Sequence, residues 1–175
     1  MKIYYTLIMA LLSLFLSACE NPNEEVLDYS TMSMILSSPT YGIEEIELYS
    51  KPLKKDPYCL DNWIGSNYLV YRRDLYCKDK TYTGKIKIFV GLKDQLFKVN
   101  HKYLLDSDYK HITITIYNNK TGAEIVFDDI IDGYIYLTKY ETNNLGKVSG
   151  NFEIKYANDT SVTNGSLQDI QVNKL

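Results

Sequence analysis

Little in this chain can carry metal, redox or acid–base chemistry. It has three cysteines, two histidines and one tryptophan in 175 residues. His101 and His111 stand at no zinc-ligand spacing from Cys59 or Cys77, so no metal and no cofactor is expected. A G-x-S-x-G elbow is missing, which leaves the histidines without a nucleophile to serve as general bases. A net positive balance is also absent: 19 Lys and Arg stand against 22 Asp and Glu, and nucleic acid, whose phosphates demand a basic face, is excluded as a partner. Beyond residue 19 the alanines are Ala123 and Ala157, and no amphipathic helical pattern appears. No catalytic motif remains, and the chain is expected not to be an enzyme.

What is present begins at the N-terminus. The one long apolar run, Ile3 to Leu16, follows Lys2 and ends in Leu16-Ser17-Ala18-Cys19. A membrane-spanning helix needs about 20 apolar residues, and Glu20, Asn21 and Pro22 interrupt this run too early. Length, basic flank and small residues are those of a signal peptide. The closing tetrad resembles the bacterial lipobox. That resemblance implies cleavage between Ala18 and Cys19, acylation of the Cys19 sulfur, and a lipid anchor in the outer membrane, facing the periplasm or the cell surface. Two or three acyl chains hold firmly where one binds only marginally, since each buried CH₂ contributes about 0.8 kcal/mol. The membrane is therefore the first expected partner.

The expected organisation is a signal peptide over 1–18, a lipidated cysteine and flexible tether over 19–40, and a single domain over 41–175. Asn21, Pro22, Asn23, Glu24, Glu25 and Asp28 make the start of the tether polar and aperiodic. These acidic residues resemble the export signals of surface lipoproteins of Bacteroidota. A domain of this length can bury a core without metal clusters or many disulfides. Cys59 and Cys77 remain after the anchor, and in an oxidising envelope compartment the pair is expected to form a disulfide. Closing that loop would stabilise the fold by roughly 3 kcal/mol.

From Tyr41 onward apolar and polar residues alternate with a period of two. Ile46 and Leu48, then 68–77, then Ile86, Ile88 and Val90 read as strands. Ile112, Ile114 and Ile116 share one face of the clearest strand, with His111, Thr113 and Thr115 on the other. Asn118 to Gly122 reads as a hairpin turn into Glu124–Phe127, and Asp128 to Gly133 as the next turn. Strands follow over Tyr134–Tyr140, Phe152–Tyr156 and Val162–Val172, with a bulge at Asn164-Gly165. Many short strands at near-regular spacing predict an all-β antiparallel sandwich, with an up-and-down, lipocalin-like barrel as the alternative.

The block Asp132-Gly133-Tyr134-Ile135-Tyr136-Leu137-Thr138-Lys139-Tyr140, with Val148-Ser149-Gly150-Asn151-Phe152-Glu153-Ile154 and Val162-Thr163-Asn164-Gly165-Ser166-Leu167, resembles a group of Bacteroidota lipoproteins. In that group a G-x-I-x-I-T-x-Y strand precedes V-S-G-x-F-x-F and T-N-G-x-F strands; here Leu167 replaces the last phenylalanine. The group is β-rich and of unassigned function. It implies architecture and location but no active-site residue.

Asp128, Asp129 and Asp132 lack the D-x-D-x-D-G order of a calcium loop, since Ile130 takes the middle place. Asn119-Lys120-Thr121, Asn158-Asp159-Thr160 and Asn164-Gly165-Ser166 match a glycosylation pattern but are assigned to turns. Aromatics are the more telling signal: the chain has 17 tyrosines. Trp63, Tyr68, Tyr71, Tyr134 and Tyr136 are the expected ligand-binding residues, because exposed rings suit stacking on sugars or packing against a protein. The functional expectation is an envelope-anchored, non-catalytic binding module for a glycan or an envelope protein. A structural accessory subunit and a lipocalin-type carrier are the alternatives, the last requiring an internal cavity of about 300 Å³ or more.

Overall fold

The computed structural model describes residues 27–28, 31–54, 63–65, 68–92, 96–105, 110–141 and 146–174. Ala18, Cys19 and Cys59 lie outside them. The described chain is all-β and mostly antiparallel, as expected. One eleven-stranded sheet curls into a half-barrel around a single core, and a two-stranded ribbon joins β1 (Leu27–Asp28) to β4 (Leu53–Lys54).

Strand order explains the curl. β2 (Thr31–Ser38), β3 (Ile43–Tyr49), β6 (Tyr68–Cys77), β7 (Tyr82–Gly91), β9 (Lys110–Asn118) and β10 (Glu124–Phe127) form one meander. A second meander of β11 (Ile130–Tyr140), β12 (Gly146–Tyr156) and β13 (Thr160–Lys174) returns to pair β13 with β2, and β8 (His101–Leu104) borders β11. Pairing of neighbours in sequence is the up-and-down order, and twist accumulated across such a sheet rolls one face inward. β3 meets β6 at Leu48–Cys77 and Tyr49–Tyr76. Beyond those pairs β5 (Trp63–Gly65) fills the widening gap, antiparallel to β6 and parallel to β13.

Two expectations are corrected here. The span assigned to the tether, 19–40, contains β2, whose Met32, Met34 and Leu36 are buried at the centre of the sheet. The domain therefore starts before residue 41. The expected turn from Asp128 to Gly133 does not reverse the chain either. Only Asp128 and Asp129 leave the strand conformation, and the strand then continues with a new partner: Phe127 pairs with Ile114 of β9, and Ile130 with Tyr156 of β12. The Asp129 carbonyl accepts the Ala157 N–H at 2.9 Å, which fastens the crossing point.

Alternating side chains build the core. Ile112, Ile114 and Ile116 are wholly buried, as are Ile86, Ile88 and Val90 on the neighbouring strand. Each such side chain contributes roughly 1.5–3 kcal/mol by leaving water. Tyr71, Phe152 and Tyr156 fill the middle. Arg73 also points inward, its guanidinium 5.1 Å from the Tyr71 ring and its Nη1 donating to the Arg72 carbonyl.

The turns follow the sequence closely. Gly122, at φ +72°, donates to the Asn118 carbonyl, and Asn158 and Asp159 both take positive φ between β12 and β13. The bulge in β13 is present, with register shifts on both neighbours, but Asn164 supplies the positive φ (51°) rather than Gly165. Gly165 answers a different need: a Cβ there would sit 2.6 Å from the Phe152 ring.

Candidate functional site

Tyr134 and Tyr136 stand two apart on β11, so period two places both on its outward side while Ile135 and Leu137 face the core. Tyr134 lies across from Leu104 of β8 and Glu153 of β12, and Tyr136 across from Lys102 and Asn151. Lys102 Nζ sits 3.8 Å above the Tyr134 ring, a cation–π contact. Burial, then the charge of Glu153 and a hydrogen bond to it, hold the Tyr134 phenol above its ordinary pKa. Tyr136 Oη donates a long hydrogen bond, 3.5 Å, to Asn100 Oδ1.

Beside the Tyr134 ring runs a groove of about 270 Å³ across β8, β11, β12 and β13. Lys102, Glu153, Lys155, Ser161 and Thr163 line it with Tyr134. Part of its shape comes from the bulge: Phe152 pairs with Gly165 and Ile154 with Val162, so Glu153 faces both Thr163 and Asn164. Ammonium, carboxylate and hydroxyl groups thus surround one aromatic ring.

The other aromatics expected at a ligand site are placed elsewhere. Tyr71 is fully buried in the core, a correction to its expected role. Burial first, then Tyr103 and lastly Tyr68, half-buried at the start of β6, raise the Tyr140 phenol's pKa. Tyr140 itself has turned inward past a register shift after Leu137, and packs 4.9 Å from Phe97. Trp63 pairs through its backbone with Val70 and Asn173. Of that set, Tyr134 and Tyr136 share the outward side of one strand.

The expected Cys59–Cys77 disulfide reaches outside the described residues at Cys59; among the described residues Cys77 carries a free, buried thiol. Its position at the inner end of β6 engages the sulfur locally, donating to Asp79 Oδ1 at 2.8 Å and accepting the Tyr82 N–H at 3.1 Å.

A second groove, of about 570 Å³, lies on the outer face of β6, β7 and β9. Sequence reasoning missed it. Its walls are Arg72, Lys87 and His111, with Val70, Phe89 and Thr113 between them and Asp128 at one edge. Register sets the pattern, since Val70, Phe89 and His111 form one rung across the strands and Arg72, Lys87 and Thr113 the next. The signal was the outward half of each alternation, which becomes a site only once the registers are known. Among the described residues no three His, Cys, Asp or Glu side chains converge as metal ligands.

Comparison with protein-family models, with curated proteins and with solved structures finds no match to this chain.

Proposed function

We propose that this chain is a non-catalytic binding module of the bacterial cell envelope, held in the outer membrane by acyl chains on Cys19, and that it takes a glycan at Tyr134 and Tyr136. The observation that carries this reading is that the two rings share the outward side of one strand, with Tyr134 on the wall of a groove of mixed polar groups. Sugars present apolar C–H faces edged by hydroxyls. A tyrosine ring suits the face, and Glu153, Lys155, Ser161 and Thr163 offer the donors and acceptors that hydroxyls require. Surface binding is favoured over a carrier role because Tyr71, Phe152 and Tyr156 occupy the inner face.

The test is retention of the full-length chain on immobilised envelope polysaccharide. Tyr134→Ala and Tyr136→Ala should each weaken retention at least about tenfold, a loss of roughly 1.4 kcal/mol. Thr138→Ala, on the exposed side of the same strand, should leave it unchanged. Equal retention of all three variants would overturn the assignment. For the anchor, mass spectrometry of native protein should find Cys19 acylated and residues 1–18 removed, and an intact Met1 would refute it.

A further inference from the structure

The groove on the outer face of β6, β7 and β9 sets two cationic side chains next to an apolar floor. Arg72 and Lys87 are direct cross-strand partners, with both side chains on the outward face. Like charges set opposite each other on one sheet face repel. Lys87 makes no hydrogen bond or ion pair among the described residues, although Asp74 lies one rung away on the same face, opposite Lys85. The next rung supplies an apolar floor, Val70 beside a half-buried Phe89, with His111 at its end.

We propose that this groove binds a small organic anion, its phosphate or carboxylate group held between Arg72 and Lys87 and its apolar ring laid on Phe89. A guanidinium and an ammonium lining one groove from adjacent strands can each form a charge-assisted hydrogen bond with an oxyanion. The groove's volume falls within the range of small-molecule sites. Asp128 at its edge orients the ligand, since its carboxylate repels the anionic end and accepts hydrogen bonds from a neutral one. This site is separate from the tyrosine groove and does not depend on it.

The test titrates the full-length chain with 1-naphthyl phosphate, 1-naphthoate, 1-naphthol and inorganic phosphate, by calorimetry and by amide chemical shifts. At least one naphthyl anion should bind at millimolar concentration or below and shift the amides of Phe89, His111 and Thr113. Naphthol and inorganic phosphate should each bind at least about tenfold more weakly, since each lacks half of the recognised chemistry. Lys87→Gln should cost the naphthyl anion at least about tenfold, whereas Lys85→Gln, the same charge change one rung along, should cost less than about twofold. Both lysines are exposed, so both variants should keep a cooperative thermal melt. No binding of either anion, equal binding of naphthol, or equal losses in the two lysine variants would overturn the proposal.

Discussion

The phenol of Tyr156, on β12, donates a buried hydrogen bond of 2.7 Å to the backbone carbonyl of Ile112, on β9. Ile112 lies two residues past the last β9–β10 pair, Ile114 with Phe127, where the chain has left β9 and continues as β11 beside β12. A buried carbonyl at such a fork needs a donor from elsewhere, and the side chain supplies it. Tyr156→Phe keeps the ring and removes the donor. It should destabilise the fold by about 1–3 kcal/mol in urea unfolding, the cost of leaving a buried acceptor unsatisfied. No loss would mean that water reaches Ile112 at the fork.

The same phenol makes stability depend on alkaline pH. Burial, and to a lesser degree the charge of Asp128, raise the Tyr156 pKa well above its ordinary value, and Tyr140 is raised in the same direction by burial. Below about pH 10 both states keep the proton, and stability is unaffected. Above it the unfolded chain ionises while the folded one does not, so the folded state binds more protons and loses stability by up to about 1.4 kcal/mol per pH unit for each such group. Unfolding free energies at pH 9, 10 and 11 should fall less steeply for Tyr156→Phe than for the unaltered chain.

How much of this was legible depended on whether a strand's two faces differ. Ile112, Ile114 and Ile116 against His111, Thr113 and Thr115 leave no doubt, and both faces were read correctly. In β6 the alternatives are Tyr68, Val70, Arg72 against Leu69, Tyr71, Arg73; each set carries an arginine, so the alternation alone does not tell which tyrosine is buried. β2 was missed because most of its polar positions, such as Ser33 and Ser37, alternate with methionines and a leucine rather than with the β-branched or aromatic residues that mark a strand. Asp128 and Asp129 read as a reversal because turn residues mark a break in pairing, and the sequence does not say whether the chain then turns back or changes partner. An even number of cysteines permits a bridge without placing the sulfurs. Of the candidate sites, Tyr134 and Tyr136 needed only one strand's alternation, whereas the Arg72–Lys87 groove needed the register of adjacent strands.

Gly165 should resist substitution for a reason unrelated to its own backbone angles. A Cβ at this position would meet the Phe152 ring and the Phe152 carbonyl oxygen, each at 2.6 Å, and Phe152 is fully buried. Gly165→Ala is expected to cost about 1–3 kcal/mol as an overpacked core. Adding Phe152→Leu should recover part of that loss but not all, because the carbonyl contact remains. Thermal melts of the single and double variants measure the coupling.

The β6–β7 turn links the free thiol to an acid-sensitive carboxylate. The hydrogen bond from Cys77, then those from the Thr81 N–H and hydroxyl, lower the Asp79 pKa to about 2. Burial first, and then Asp79 itself, raise the Cys77 thiol. A depressed carboxyl stabilises the fold above its unfolded pKa, and that contribution disappears as pH falls from about 4 through about 2. Asp79→Asn should therefore flatten the acid limb of the stability curve over that window. With Cys19 and Cys59 replaced by serine, the Cys77 thiol should react with a disulfide reagent only as fast as the chain unfolds, because it is both buried and held protonated. A non-reducing peptide map of the unaltered chain should return Cys77 as a free thiol. A linked Cys59–Cys77 peptide would mean that the bridge forms at the expense of the Asp79 contact, and the acid limb would then lose its dependence on Asp79 as well.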